Sequence, residues 1–140
     1  MDELVQLATR IFRAQPFTAL LGAELSGVGA DWAEITVTNR EELQQQHGFI
    51  HGGVVSYLAD NTLTFAGGMA LRSDAVTSGY TIDYLRPATA EKLVARATAV
   101  SVSRRRAVCR CSVHAVTGGE RVLVAVAQGT IAAVSANPAE

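Results

Sequence analysis

Two segments of the chain place hydrophobic residues at helical spacing. In residues 2–14 the apolar positions recur every three or four residues and Pro16 follows, which predicts a short amphipathic helix that packs as a lid or edge cover. Its apolar positions are Leu4, Leu7, Ile11 and Phe12. Residues 50–71, IHGGVVSYLADNTLTFAGGMAL, are almost entirely apolar or small. A helix of this composition has to be enclosed on most of its sides.

The other hydrophobic runs have the length and alternation of β-strands. Residues 18–28 and 33–39 are predicted to form two strands around Gly-Ala-Asp, a hairpin-type turn signal. The run at 105–116 alternates cleanly between apolar and polar residues, which predicts a strand with one buried face. The last run, 120–134, is apolar on both faces, as in a central strand. A polar stretch, TNREELQQQHGF, is predicted to be a loop. The strand-like runs after the long helix cover about residues 76–85, 91–103, 105–116 and 120–134.

These elements predict an α+β architecture with one long apolar helix, a short N-terminal helix and about six strands. Most strands are joined by short hairpin connections, which favour antiparallel pairing. A single strongly curved sheet, together with a partner subunit, can enclose the apolar helix. The 140 residues are expected to form one domain, residues 1–140, because the chain is long enough for one core and too short for two.

Composition and charge narrow the classes of function. With 49% hydrophobic and 18% charged residues, the chain is of a globular type. Its 12 basic and 13 acidic side chains leave a net charge of -1, so no strong field draws nucleic acid or an anionic membrane. The start, MDELVQLATR, differs from a secretory signal, which makes the cytoplasm the expected location. Asp60 and Asn61 make the long helix a poor membrane span.

The chain has two cysteines, Cys109 and Cys111. On a strand, their i, i+2 spacing points both side chains the same way, as expected of two thiols packed in a core. A tetrahedral metal site would need two further ligands, and the three histidines are scattered, so we expect no metal.

Asp60 is the one carboxylate of the long apolar helix. Burying an unpaired carboxylate is costly, so Asp60 must either have a hydrogen-bonding partner or face a cleft. Thr64 lies one helical turn further on the same face, where it could serve as a structural partner or position a water molecule beside the acid. Perturbed acids cluster at functional sites, which leaves a catalytic role for Asp60 open beside the structural one.

His51-Gly52-Gly53 stands at the start of the same helix. Backbone N–H groups there lie at the positive end of the helix dipole and can stabilise an oxyanion, although two glycines can also simply form the turn into the helix. Gly52 and Asp60 are separated by about 12 Å along a helix, whereas a reacting carbonyl needs both groups within about 3 Å. If both act on one substrate, Gly52 of one subunit must face Asp60 of another across a twofold axis.

Three sequence stretches, taken in order and with their spacing, resemble the hotdog-fold acyl-CoA thioesterases. They are HGGVVSYLAD at 51–60, TIDYLRPA at 81–88 and LVARATAVSVSRR at 93–105. The resemblance is to the branch that includes the phenylacetate-pathway thioesterase and the Arthrobacter-type 4-hydroxybenzoyl-CoA thioesterase. It implies a central helix wrapped by a curled antiparallel sheet, and hydrolysis of an acyl-CoA thioester to a free acid and coenzyme A without a metal or redox cofactor.

The resemblance also implies catalytic roles. The family's helix acid falls on Asp60, which would activate water or attack the thioester carbonyl itself. The first glycine of the motif falls on Gly52, whose amide would polarise that carbonyl. An Asn or Gln six residues before the His falls on Gln45, which would orient the water or hold the carbonyl. The family's hydroxyl four positions beyond the acid falls on Thr64.

Further residues are implied in binding substrate. Arg104 and Arg105 match a basic pair that often meets coenzyme A phosphates, although solvated arginines at a strand start give the same pattern. His51 and Gly53 flank the polarising glycine, and His51 is expected to bond backbone near the helix start. Candidate acyl-pocket residues, which could equally pack in the core, are Tyr57, Phe65 and Met69.

The family assembles its site across a homodimer and commonly pairs dimers into tetramers, so the same assembly is expected here. Two other classes of function stay open. An acyl-thioester hydratase or dehydratase uses the same fold, but with a His and an acid in a helix-entry pattern that differs from this one. A non-catalytic acyl-CoA binding or sensing module would bind the ester without cleaving it.

Overall fold

Three α-helices and six strands make up the part of the chain that the computed structural model describes, residues 2–134. The helices are α1 (Asp2–Ala14), α2 (Pro16–Leu21) and α3 (Gly52–Leu71), with a short 3-10 turn at Glu41–Leu43. The strands are β1 (Glu24–Val28), β2 (Trp32–Thr38), β3 (Ala75–Tyr84), β4 (Lys92–Val102), β5 (Arg106–Thr117) and β6 (Glu120–Ala133).

The strands form one antiparallel sheet in the order β1-β2-β4-β5-β6-β3, which curls around α3. The helix packs against β2, β3, β4, β5 and β6, so its apolar surface is enclosed largely by the sheet. The predicted α+β architecture, with a long helix wrapped by an antiparallel sheet and a short N-terminal helix, is confirmed. Within residues 2–134, no helix combines the length and the hydropathy that a membrane crossing requires.

The first predicted strand is wrong at its beginning. Residues 18–21 belong to α2, and β1 starts only at Glu24. Proline at the first turn of α2 fixes a helical φ, and Gly22 ends the helix in the left-handed conformation, with φ 69°. The periodicity of this short apolar run is compatible with a strand or a helix, so the proline at its start and the glycine at its end determine that it forms a helix.

The clean alternation of β5 predicts its buried face correctly. Alternate side chains from Ala107 to Ala115 are buried, and Cys109 and Cys111 are among them. Burial raises the pKa of the Cys109 thiol to about 11 and that of the Cys111 thiol to about 12. Both cysteines are therefore protonated core residues at neutral pH, as their spacing predicted.

The first helix covers α3 on a side that the sheet leaves open. Phe12 is buried, and its ring meets the ring of Phe65 edge to face at a centroid distance of 5.7 Å. On the sheet side, a Cβ added at Gly67 would lie 2.6 Å from the Cβ of Ile131, so this glycine permits close approach of α3 to β6. The position of α3 is thus fixed from both sides.

Candidate active site

A row of hydrogen bonds joins α3 to β3, the edge strand of the sheet. The helix residues involved are spaced four apart and therefore lie on one face. We call this row the polar seam, and its members are Gly52, Ser56, Asp60 and Thr64 on α3 with Thr77, Tyr80 and Tyr84 on β3. It places both predicted reaction groups, the Asp60 carboxylate and the start of α3, along the free edge of the sheet.

Asp60 is partly buried and holds one defined partner. The Thr77 hydroxyl donates to Asp60 Oδ1 at 2.6 Å. The Thr64 hydroxyl instead donates to the Asp60 backbone carbonyl at 2.9 Å, and it lies 2.6 Å from Thr77 Oγ1. Within residues 2–134, no donor is bonded to Asp60 Oδ2. One carboxylate oxygen is thus oriented, and the other is open to a water molecule or substrate.

The start of α3 is capped by His51. Its Nδ1 accepts a hydrogen bond from the Gly53 amide at 2.8 Å, and its carbonyl accepts from the Val54 amide at 2.9 Å. Its own amide donates to the Leu43 carbonyl at 2.8 Å. The Gly53 N–H is therefore already taken, whereas the Gly52 N–H, at the first helical position, has no acceptor in the described part of the chain.

Gln45 holds a tight turn before the helix. Its side-chain oxygen accepts from the His47 amide at 2.5 Å and from the Phe49 amide at 3.4 Å. Its side-chain nitrogen has no acceptor among residues 2–134. Gln45 and Gly52 line the same cavity, of about 380 Å³, together with Tyr84 and Arg86. The structure thus brings Gln45 and Gly52 together at one end of α3, and Asp60 and Thr64 together near its middle.

Tyr57 does not lie in the polar seam. Its hydroxyl is 2.6 Å from Thr18 Oγ1 and accepts from Asn61 Nδ2 at 3.1 Å, and its ring meets Phe17 edge to face. Burial raises the pKa of Tyr57, although the bonds to Thr18 and Asn61 lower it. The hydroxyl is therefore occupied in joining α2 to α3.

Arg104 and Arg105 lie at the exposed tip of the β4–β5 hairpin. The Arg105 carbonyl accepts from the Ala133 amide at 2.8 Å, and Ala133 pairs with Ala75, the first residue of β3. The tip therefore stands at the end of β3 that is nearer to Thr77 than to Tyr84. This places the arginine pair at the same end of the edge strand as the Asp60 carboxylate.

Within residues 2–134, no ion pair joins a histidine to an acidic side chain. His47 is exposed beside Phe49, and burial together with Arg121 lowers the pKa of His114. In the described range, residues 2–134, no three His, Cys, Asp or Glu side chains are grouped so that they could hold a metal ion. The chemistry available at the polar seam is that of a carboxylate, hydroxyls and backbone amides.

Known proteins match this region of the chain. A family model described as "Thioesterase superfamily" matches residues 47–122, more than half of the chain, from the turn before α3 to the start of β6. A Haemophilus influenzae protein named "Putative esterase" is 36% identical over 86 residues, which cover 60% of this chain and 62% of that protein. The match thus spans about three fifths of that relative's length.

Solved structures are similar over nearly the full length. A thioesterase family protein from Silicibacter pomeroyi has a TM-score of 0.88 at 28% identity, covering 94% of this chain and 98% of its own. A mutant of the phenylacetic acid degradation protein PaaI from Thermus thermophilus has a TM-score of 0.75 at 33% identity, covering 86% of this chain and 100% of its own. The similarity includes α3 and the sheet that surrounds it.

Proposed function

The chain belongs to the thioesterase superfamily and has its hotdog fold, and we propose that it is an acyl-CoA thioesterase of the phenylacetate-pathway branch. The observation that carries this proposal is the Asp60 carboxylate, which Thr77 holds through one oxygen while the other is open. A partly exposed acid, the one carboxylate of α3, lies beside a free strand edge and is available to a reacting carbonyl.

The chemistry needs no group beyond those at the site. Asp60 takes a proton from a water molecule whose oxygen attacks the thioester carbonyl, or its carboxylate attacks that carbon directly. The Gly52 amide donates to the carbonyl oxygen as negative charge develops there. The carbon–sulfur bond then breaks, and coenzyme A leaves as a thiolate that, in the general-base route, takes up the proton that Asp60 removed from water. In the direct-attack route, water hydrolyses the resulting anhydride.

A homodimer completes the site. Eight residues of α3 separate Gly52 from Asp60, about 12 Å along the helix axis. Antiparallel pairing of two β3 edges about a twofold axis between Tyr80 and Thr81 sets Thr77 opposite the partner's Tyr84. Because these strand residues bond Asp60 and Gly52, the pairing brings the acid of one subunit towards the glycine amide of the other. Support comes from the position of β3 at the edge of the sheet.

Gln45 and Thr64 have supporting roles in this arrangement. Gln45 lines the cavity that contains Gly52, and its side-chain nitrogen can donate to the substrate carbonyl or to the attacking water. Thr64 completes a short hydroxyl chain with Thr77 beside Asp60. His51 and Gly53 serve by capping the first turn of α3 through the bond from the Gly53 amide to His51 Nδ1.

The direct test is release of coenzyme A. Acetyl-, octanoyl-, benzoyl- and phenylacetyl-CoA are incubated with the protein, and free thiol is measured with a disulfide reagent. We expect thiol release from at least one of these esters. Tight binding without release would favour the sensing module instead. In a parallel incubation with an enoyl-CoA, loss of its absorbance without thiol release would favour the hydratase.

Thr77 is expected to position Asp60. Thr77→Val removes the donor but keeps the shape, so we expect kcat to fall about tenfold, the worth of one hydrogen bond to a charged group, with KM little changed. Thr77→Ser keeps the hydroxyl and should restore most of the turnover. Equal kcat for the Val and parent proteins, measured by thiol release, would show that Thr77 has no part in positioning the acid.

Arg104 and Arg105 are expected to bind the phosphates of coenzyme A. Replacing both with Ala should raise KM for CoA esters about tenfold while kcat stays within about twofold, because the contacts are made equally in the ground and transition states. The matched control replaces Lys92 and Arg121 with Ala. This change removes the same amount of positive charge near the opposite end of the sheet. If KM is unchanged, the two arginines are solvated surface residues.

A further inference from the structure

The two ends of β3 carry opposite charges. Asp74 immediately precedes Ala75, the first residue of the strand, and Arg86 follows Tyr84, the last residue, by two positions. Both charged side chains are exposed. Within residues 2–134, no ion pair includes either of them. Both charges are therefore available to a second molecule that approaches the free edge of β3.

The hydrogen bonds of these two residues leave them able to bind more. Asp74 Oδ1 accepts from the Ala75 amide at 3.0 Å, and among residues 2–134 no donor is bonded to Asp74 Oδ2. Arg86 Nη1 donates to the Leu123 carbonyl at 2.6 Å. A guanidinium has five N–H donors, so this bond holds the Arg86 side chain in place and leaves other donors for an anion.

A twofold pairing of β3 edges brings these charges together. In an antiparallel pair of identical strands, the start of one strand meets the end of the other. In the proposed dimer, where Thr77 lies opposite the partner's Tyr84, Ala75 lies opposite the partner's Arg86. Asp74 is the next residue, within reach of that long side chain. Because the axis is twofold, the same contact occurs twice in each dimer.

The register of this pairing decides whether the reaction groups meet. A slide of two residues moves one strand by about 7 Å, whereas donor and base must both come within about 3 Å of one thioester carbonyl. The exposed residues in the middle of β3 are small or polar, and such strands specify their register weakly. These residues are Ser78, Gly79 and Thr81. A further determinant of register is therefore needed.

We propose that Asp74 and the partner's Arg86 form an ion pair that fixes the register of the β3 pairing and so aligns Asp60 with the partner's Gly52. This inference rests on the dimer of the proposed function. Both residues are positioning residues, because they act on the reaction groups through β3. A slide of four residues would instead set Asp74 opposite the partner's Asp83, where like charges repel.

The test reverses each charge separately and then combines the two variants. Asp74→Arg places two arginines at both contacts of the dimer, and Arg86→Glu places two acids there. Each variant alone should raise the dissociation constant of the dimer at least about tenfold, because like charges facing each other oppose association. In a hybrid dimer of the two variants, the introduced arginine meets the introduced glutamate, and the native pair forms at the other contact.

An equal mixture of the two variants should therefore return the dissociation constant to within about threefold of the parent value, and so should the double variant. Dimerisation is measured by sedimentation, and activity by thiol release per subunit in dilute protein. Activity should fall and recover together with the dimer. The matched controls are Asp31→Arg and Arg10→Glu, which make the same charge changes at exposed positions outside β3. They should dimerise as the parent does, alone or mixed.

The outcomes separate this inference from the proposed function. If both single variants dimerise as tightly as the parent, or if neither the mixture nor the double variant recovers, the ion pair does not form and the inference is wrong. A parent that stays monomeric overturns the inference as well. If the parent dimerises but releases coenzyme A from no ester, the proposed activity fails, while sedimentation of the variants still decides the ion pair. Loss in each single variant with recovery in the mixture supports the inference, since two misfolded subunits would not restore each other.

Discussion

Replacing Asp60 with Asn is expected to lower kcat on acyl-CoA esters at least about a hundredfold, because a general base usually contributes a factor of this size or larger. Asn has nearly the same shape, and its side-chain oxygen can still accept the hydrogen bond from Thr77. It can neither take a proton from water nor attack a carbonyl. The measurement is thiol release under saturating substrate, with KM expected to change little.

The melting temperature decides whether this loss is chemical. Because Asp60 is only partly buried and Asn preserves its contact, the variant should melt close to the parent. Asp31→Asn is the matched control, since Asp31 is an exposed acid in the β1–β2 turn and lies away from the polar seam. It should keep full activity. If Asp60→Asn retained more than half of the parent kcat, the acid would not be part of the reaction.

The long-range architecture was predictable because burial leaves a periodic pattern in the sequence. The four strands after α3 begin and end within one residue of the predicted ranges. The alternation that defined β5 reflects side chains that point alternately to α3 and away from it. The strand prediction for residues 18–21 failed because a short apolar run has no clear period. Pro16 at its start and Gly22 at its end are the local signals that distinguish this helix from a strand.

The site was only partly predictable for a different reason. Asp60 and Gly52 stand out locally, as a lone acid and a helix-start glycine. Thr77 lies seventeen residues from Asp60 and on another element, so only the packing of α3 on β3 shows that the two are bonded. Tyr57 illustrates the converse, because an aromatic residue on the predicted helix gave no sign that its hydroxyl is bonded to Thr18. Partners across elements depend on tertiary structure.

Replacing Gly52 with Pro tests the other half of the proposed site. Proline has no N–H, and it is tolerated at the first position of a helix. The preceding residue, His51, has φ -57° and ψ 137°, a conformation that a following proline favours. A Cβ at Gly52 would lie 3.6 Å from the Tyr84 ring, an ordinary contact. The helix start should survive, and kcat should fall about a hundredfold or more, as when one oxyanion donor is lost.

Gly52→Ala is the matched control for this change. It adds the same Cβ beside Tyr84 but keeps the amide hydrogen, so it should retain most of the parent activity in the thiol-release assay. A large loss in both variants would mean that the space at Gly52, rather than its N–H, is what the reaction needs. Comparable activity in Gly52→Pro and the parent would remove the amide from the proposed mechanism.

Mixing the two inactive variants tests whether the site spans subunits. In a hybrid dimer of Asp60→Asn and Gly52→Pro, one site receives both altered groups and the other receives both intact ones. Refolding equal amounts together should therefore restore about a quarter of the parent activity, since about half of the dimers are hybrids with one working site each. A hybrid dimer that is purified through a different affinity tag on each subunit should reach about half of the parent activity. If acid and amide acted within one chain, every subunit would lack one group, and no mixture would recover.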